Sequence, residues 1–196
     1  MSPNSALPTF RIQADTAVAA ALPPPAATVT LDSPAREVMT DLTRVRAATT
    51  TPGTSLDLAE LQMIHQGVRM LFVASELPAI QGLVTSTDLR GDKAMRLVHE
   101  RGARRDELSV ADVMTPLAEL DAVDFEALGH ASVGNLVATL RRLGRRHLLV
   151  VQAPTASTPR RVRGVVSSAQ IERQLGQRVE VDEIASSFAE IERALI

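Results

Sequence analysis

The sequence predicts an α/β protein built from two similar halves, because one pattern of residues occurs twice along the chain. The letters EVMT at 37–40 are matched by DVMT at 112–115. Each copy continues with an amphipathic segment that ends in a glycine, Gly67 or Gly144, and an apolar run follows each glycine. A unit this small cannot bury a core alone, so we expect the two halves to pack about a pseudo-twofold axis. The crevice between such halves is the natural place for a ligand.

The composition is that of a globular protein without disulfide bonds. The 196 residues are 45% hydrophobic and 22% charged, and they include no cysteine, so thiolate metal sites and cysteine nucleophiles are excluded. A net charge of −2 and four phenylalanines as the only aromatic residues argue against a nucleic-acid partner. No apolar run approaches the ~20 residues of a membrane span, and we see no signal peptide. We therefore expect a cytoplasmic protein without a membrane partner.

Five segments follow from the pattern. Residues 1–32 form a tail rich in Ala, Pro and Thr, which we expect to be largely extended or disordered. The repeats occupy 33–91 and 109–176, and a charged connecting helix and linker at 92–108 joins them. Residues 177–196 carry apolar residues at helical spacing, which predicts an amphipathic helix whose apolar face must be covered by the body or by a second subunit.

Each repeat opens at a helix start and continues into an amphipathic helix. Ser33 followed by Pro34, and Ser109 in the second repeat, are typical of a helix N-terminus. Gly67 and Gly144 lie where a left-handed residue ends a helix. The apolar stripe of the first long helix is weak and follows Ser55, a residue typical of an N-cap, whereas the stripe of the second is clear. The first stripe consists of Leu58, Leu61 and Ile64, and the second of Val133, Leu136, Val137, Leu140 and Leu143.

Two strands follow each long helix. Residues 70–74 and 147–151 are short apolar runs bounded by turn residues, which predicts buried strands. The second strand of each pair is expected at 80–85 and 162–167. Each of these second strands enters a short helix through a corner rich in Thr and Ser.

This order of elements resembles the cystathionine-β-synthase (CBS) domain, and a tandem pair of such domains is called a Bateman module. The resemblance covers residues 33 to about 176, and it predicts the α/β fold of a tandem CBS-domain pair. It implies a regulatory module that binds an adenosine-containing ligand in the cleft between the repeats, such as AMP, ADP, ATP or S-adenosylmethionine. CBS pairs commonly form a disc-shaped dimer, so the resemblance also implies a homodimer.

Thr85 and Asp88 are the strongest candidates for ligand contacts. They lie where the second strand of the first repeat enters a helix, and free backbone N–H groups at such a corner suit a phosphate. The Asp88 carboxylate offers two acceptors for the vicinal hydroxyls of a ribose. In the CBS family the equivalent residues are the usual phosphate and ribose contacts. The alternative is that Thr85 or Ser86 merely caps the helix, with Asp88 favouring its first turn.

Further residues complete the predicted nucleotide site by resemblance to the family. Thr49 belongs to a Thr-x-x-Pro pattern of the family, and Ser167 keeps the hydroxyl of the second corner. Arg69 and His147 lie where some members place phosphate-binding side chains, although a solvated arginine and a histidine at the edge of the core are the alternatives. Thr87 lies beside Asp88 in the sequence and is a further candidate contact for the nucleotide.

The second repeat departs from the pattern at two positions. Gln170 stands where the acid of the corner is expected, and loss of a charge-assisted hydrogen bond costs about 1.5–3 kcal/mol, or at least roughly tenfold in affinity. Glu126 is expected to place a carboxylate near a phosphate in the same half. The sequence therefore predicts one good nucleotide site per chain and a second that is weak or empty.

Two functions remain open from the sequence. The first is a stand-alone adenine-nucleotide sensor that acts through an unidentified protein partner or its own oligomer. The second is a protein-interaction scaffold whose ligand site has degenerated. We expect no enzymatic activity and no required cofactor or metal, since the chain shows no acid, base and nucleophile constellation, no Walker loop and no metal-ligand spacing.

Overall fold

The computed structural model describes residues 28–102, 104–156 and 158–181. Residues 182–196 of the predicted C-terminal helix lie outside the described residues, and its first residues, 177–181, form no helix. Most of the predicted tail also lies outside the described residues. The strands are β1 (Met39–Asp41), β2 (Thr49–Thr50), β3 (Met70–Val73), β4 (Gly82–Thr85), β5 (Thr115–Pro116), β6 (Ala122–Asp124), β7 (His147–Gln152) and β8 (Arg161–Ser167). The α-helices are α1 (Leu56–Gln66), α2 (Ser86–Arg90), α3 (Asp92–Arg101), α4 (Val110–Val113), α5 (Phe125–Leu128), α6 (Val133–Leu143) and α7 (Ser168–Leu175).

The strands form two four-stranded sheets of the same design. One sheet has the order β2-β3-β4-β5 and the other has the order β6-β7-β8-β1. In each sheet the first two strands are parallel and the remaining neighbours are antiparallel. The predicted α/β fold of two matched units, each a small sheet with helices, is confirmed.

The fourth strand of each sheet comes from the other repeat. Thr40 on β1 pairs with Val165 on β8, and Thr115 on β5 pairs with Leu83 on β4. Both exchanged strands begin in the repeated Val-Met-Thr letters. The two repeats are therefore interlocked about a pseudo-twofold axis, an exchange that the periodicity of the sequence does not reveal.

Two matched glycines allow the exchanged strands to approach closely. A Cβ atom built on Gly82 would lie 2.3 Å from the carbonyl oxygen of Thr115. A Cβ atom built on Gly164 would lie 2.6 Å from Sδ of Met39 and 2.9 Å from the carbonyl oxygen of Thr40. The glycine at each of these positions, Gly82 on β4 and Gly164 on β8, is thus explained by contact with a strand of the other repeat.

The helix ends follow the sequence with one exception. Ser55 Oγ accepts the N–H of Leu58 at 3.3 Å, and Gly67 and Gly144 end their helices with φ values of 64° and 59°, in the predicted left-handed conformation. The start of the first repeat differs, because residues Ala35–Val38 form a 3₁₀ turn. Ser33 Oγ accepts the N–H of Thr30 there instead of capping a helix.

The buried face of α1 was predicted wrongly. Leu58, Leu61 and Ile64 are 50%, 51% and 62% exposed. The face that contacts the core consists of Leu56, Ala59 and Met63, which also have helical spacing, i, i+3 and i+7. The stripe of α6 is confirmed, with four of its residues buried and Leu143 half-buried.

The core has three parts that reflect the exchange. The N-terminal segment packs into the second repeat: Ala35 N–H donates to the Ala131 carbonyl at 2.9 Å, and Val29 is 5% exposed in the same cluster. The segment around α4 packs into the first repeat, where Val110 N–H donates to the Thr54 carbonyl at 2.8 Å. The third cluster joins the two sheets and consists of Met70, Phe72, Leu83, Leu149 and Val165.

Candidate functional site

Two clefts lie between the repeats, one at the corner where β4 enters α2 and one at the corner where β8 enters α7. The first cleft contains Thr85 and Asp88 and has a volume of about 320 Å³. The second cleft contains Ser167 and Gln170 and has a volume of about 830 Å³. Both volumes fall within the range of small-molecule sites. Because of the strand exchange, each corner faces a segment of the other repeat.

The corner of the first cleft is held by a reciprocal cap at the start of α2. Thr85 Oγ1 donates to Asp88 Oδ2 at 2.7 Å, and the Thr85 N–H donates to the same oxygen at 2.8 Å. In return, Asp88 N–H donates to Thr85 Oγ1 at 3.3 Å. All the hydrogen bonds that the structure gives to this carboxylate engage Oδ2. The capping role is thus present, and Oδ1 is the oxygen that a ligand hydroxyl can use.

A cap of this kind does not by itself indicate a ligand. Ser109 and Asp112 form a cap of the same type, with the Ser109 N–H and Oγ donating to Asp112 Oδ2 at 2.9 and 2.8 Å. Neither residue lines either of the two clefts. The position of Thr85 and Asp88 in a cleft, with walls suited to a nucleotide, is what separates the two corners.

The walls of the first cleft combine an apolar surface with balanced charges. The apolar lining comes from both repeats and consists of Leu83, Leu120, Leu148 and Leu149. The charged lining consists of Arg69, Arg145, Arg146, Asp88, Glu119 and Asp121. A flat base can therefore contact the leucines while an anionic group contacts arginines. A ligand of low net charge suits this balance.

His147 is a neutral group between the two clefts. Burial lowers its pKa to about 4, and the nearby charges of Arg146 and Arg69 act in the same direction. At neutral pH the ring is uncharged and retains one N–H donor. His147 can therefore donate a hydrogen bond to a ligand but adds no positive charge to either cleft.

The second cleft is larger and more basic. Its corner keeps one half of the cap, in which Gln170 N–H donates to Ser167 Oγ at 3.2 Å. The Gln170 side-chain oxygen accepts from Arg173. The charged lining contains a single carboxylate, that of Glu172, and four guanidinium groups, those of Arg46, Arg69, Arg173 and Arg178.

The structure brings most of the candidate residues together. Thr85, Thr87 and Asp88 line the first cleft, and Ser167 lines the second. The two predicted basic candidates, Arg69 and His147, line both clefts. Thr49 lies on β2 and lines neither of the two clefts.

The expected role of Glu126 is wrong. Its side chain is 76% exposed, and Oε2 lies 3.7 Å from a guanidinium nitrogen of Arg36, outside both clefts. The reason is the exchange, which places residues 119–121 of the second repeat in the first cleft and residues 46–48 of the first repeat in the second. Sequence reasoning missed Arg46 and Arg178 for the same reason, since their approach to one cavity depends on this pairing.

The described part of the chain shows no other recognisable site. No group of three or more His, Asp or Glu side chains in it is arranged to hold a metal ion. No helix in it combines the length and apolar character that crossing a membrane requires.

Comparisons with known proteins gave matches to solved structures only. No family model and no curated protein matches the sequence. An uncharacterised conserved protein from Pyrococcus horikoshii matches in structure with a TM-score of 0.53 and 18% identity, over 78% of this chain and 98% of the other. CBSX2 in complex with AMP matches with a TM-score of 0.48 and 20% identity, over 72% and 94%. The CBS-pair protein CBSX2 from Arabidopsis thaliana gives a TM-score of 0.45 and 19% identity, over 84% and 99%.

At these identities the likeness concerns the fold alone. The two interlocked sheets, their matched strand orders and the matched corners where β4 enters α2 and β8 enters α7 define the class: the chain has the fold of a tandem CBS-domain pair.

Proposed function

We propose that this protein is a regulatory module that binds an adenine nucleotide in the first cleft. The observation that carries the proposal is the Thr85–Asp88 corner in a cavity of about 320 Å³, opposite an apolar wall and beside arginines. Asp88 Oδ1 would accept from a ribose hydroxyl, and Arg145 or Arg146 would contact a phosphate. The balanced lining favours AMP or S-adenosylmethionine over more highly charged ligands.

The output of such a module would pass to other molecules. We propose a cytoplasmic homodimer without enzymatic activity, which acts through its own assembly or through a separate protein partner. The exposed apolar side chains of Leu58, Leu61 and Ile64 support a contact surface on α1, because such residues clustered on one helix face favour association.

A scaffold function is the second candidate. The observation that favours it is the cap itself, because the hydrogen bonds of Thr85 and Asp88 are already made within α2 and its N-cap. In that case the corner only stabilises the fold, and the α1 surface carries the function.

Calorimetric titration with AMP, ADP, ATP and S-adenosylmethionine separates the two candidates. Asp88→Ala removes both the cap and the ribose acceptor, whereas Asp112→Ala removes a cap of the same type outside both clefts. We expect AMP affinity to fall about tenfold or more in the Asp88 variant alone. Comparable losses of thermal stability in the two variants would show that the two caps stabilise the fold to a similar extent, so that a difference in AMP affinity reports on the ligand contact.

Two results would reject the sensor function. The first is no saturable heat with any of the four ligands at millimolar concentration. The second is equal AMP affinity of the Asp88→Ala and Asp112→Ala variants, which would leave the scaffold as the better account.

A further inference from the structure

The helix α2, which carries the Thr85–Asp88 corner, is too short to fix its own position. It has five residues, and isolated helices shorter than about 12 residues are marginal in water. Its orientation must therefore come from contacts with other elements. One such contact is made by Leu89, whose side chain is fully buried in the core of the first repeat. Because Asp88 directly precedes Leu89, its place in the first cleft depends on these contacts.

Arg105, in the segment that connects the two repeats, contacts the end of this helix. Its Nη1 donates to the carbonyl oxygen of Leu89 at 2.8 Å, and the last carbonyls of a helix have no partner within it. The same guanidinium donates from Nε to Asp57 Oδ1 at 3.2 Å, and Nη2 lies 3.7 Å from Glu60 Oε2, both on α1. Glu60 also pairs with Arg90, the last residue of α2. One arginine therefore connects α2 to α1 through three contacts.

The second repeat holds its corner helix from a comparable place in the chain. The carbonyl oxygen of Gln174, in the last turn of α7, accepts the N–H of Val29 at 3.1 Å. Val29 precedes the first repeat and Arg105 precedes the second, so the segment before each repeat contacts the corner helix of the other. The contact to α7 is made by a backbone N–H, whereas the contact to α2 is made by a side chain. A single substitution can therefore remove the contact to α2.

We propose that Arg105 is a positioning residue for the first cleft: it fixes the backbone of α2 so that the Thr85–Asp88 corner keeps its place against the ligand. Arg105 lines neither of the two clefts, so it acts through α2 and does not touch the ligand. This inference rests on the proposed binding of an adenine nucleotide there. It gives the connecting segment control over affinity, since a displacement of Arg105 releases the end of α2.

Two measurements on the full chain test the proposal: calorimetric titration with AMP, and hydrogen exchange of the unliganded protein followed by NMR. We expect Arg105→Ala to weaken AMP binding about threefold to tenfold, at a temperature at which thermal unfolding shows every variant to be folded. The amides of Thr85 and Asp88 donate within the corner, and we expect both to exchange faster in this variant because α2 opens more often. Arg105→Lys keeps the charge and a donor, so its changes in affinity and exchange should be smaller.

Two variants serve as matched controls. Arg104→Ala removes the neighbouring exposed arginine, whose guanidinium pairs with Asp106 of the same turn. Asp57→Ala removes one ion-pair partner of Arg105 but leaves its hydrogen bond to α2. Both variants should keep the wild-type affinity for AMP and the wild-type amide exchange at the corner.

Equal AMP affinities of Arg105→Ala and Arg104→Ala would overturn the proposal, as would equal exchange of the Thr85 and Asp88 amides in these two variants. A uniform rise in exchange throughout the first repeat would also overturn it, because that result assigns Arg105 to stability alone. No AMP binding by the wild type would instead reject the proposed function. The exchange of the two amides would then decide alone whether Arg105 positions the corner.

Discussion

At the scale of single residues, one ion pair links β1, a strand of the first repeat, to β8 in the sheet of the second repeat. Arg163 Nε donates to Asp41 Oδ1 at 3.0 Å and Nη2 donates to Oδ2 at 2.8 Å, with both side chains about one-fifth exposed or less. These bonds, with those from Thr43, hold the pKa of Asp41 well below its usual range. The Arg163 guanidinium also lies 4.8 Å from the ring centre of Phe125. A single charged pair thus connects β1, β8 and α5.

We expect Asp41→Ala to lower the free energy of unfolding by about 1–3 kcal/mol, because it leaves the half-buried Arg163 without its carboxylate. Urea denaturation at pH 7 measures the loss. Asp32→Ala removes an exposed aspartate and serves as the control. Equal losses in the two variants would show that the pair does not stabilise the exchange.

His147 makes stability depend on pH. Its pKa of about 4 in the folded protein lies below the 6.5 of the unfolded chain, so between these values the unfolded state binds the proton first. The folded protein therefore has its full free energy of unfolding above pH 6.5, and protonation of His147 in the unfolded chain lowers that free energy as the pH falls towards 4. Between pH 7 and 4.5 we expect the free energy of unfolding to fall by about 1–3 kcal/mol more in the wild type than in the His147→Gln variant.

Urea denaturation at a series of pH values tests this expectation. His99→Gln, which replaces an exposed histidine on α3, is the control and should follow the wild-type curve. Parallel curves for the wild type and the His147 variant would contradict it.

At the scale of elements, the sequence predicted what depends on local chemistry. The caps at Ser55 and Ser109, the left-handed glycines and the stripe of α6 are set by residues within a few positions of each other. The pairing of β5, a strand of two residues, depends instead on β4, which lies over 30 positions away in the sequence. No local pattern encodes such a pairing. The α1 stripe was misread because Leu58, Leu61 and Ile64 are apolar at helical spacing but face away from the core.

The close approach of the exchanged strands gives a test at this scale. Gly82→Ala would place a methyl group 2.3 Å from the Thr115 carbonyl oxygen, so β4 and β5 must separate. We expect a loss of about 1–3 kcal/mol in unfolding free energy. Gly53→Ala is the control, because a Cβ atom there meets nothing within 4 Å and its φ is not positive. Equal thermal stability of the two variants would contradict the account of the exchange.

At the scale of the whole molecule, the exposed face of α1 bears on assembly. We expect a dimer of about twice the 21.0 kDa chain in sedimentation at micromolar concentration, and we expect Leu61→Glu to shift it to the monomer by placing a charge on the apolar face. Leu117→Glu alters another exposed leucine, 46% accessible and away from α1, and should leave the dimer intact. A wild-type monomer, or equal effects of the two variants, would remove α1 from the interface.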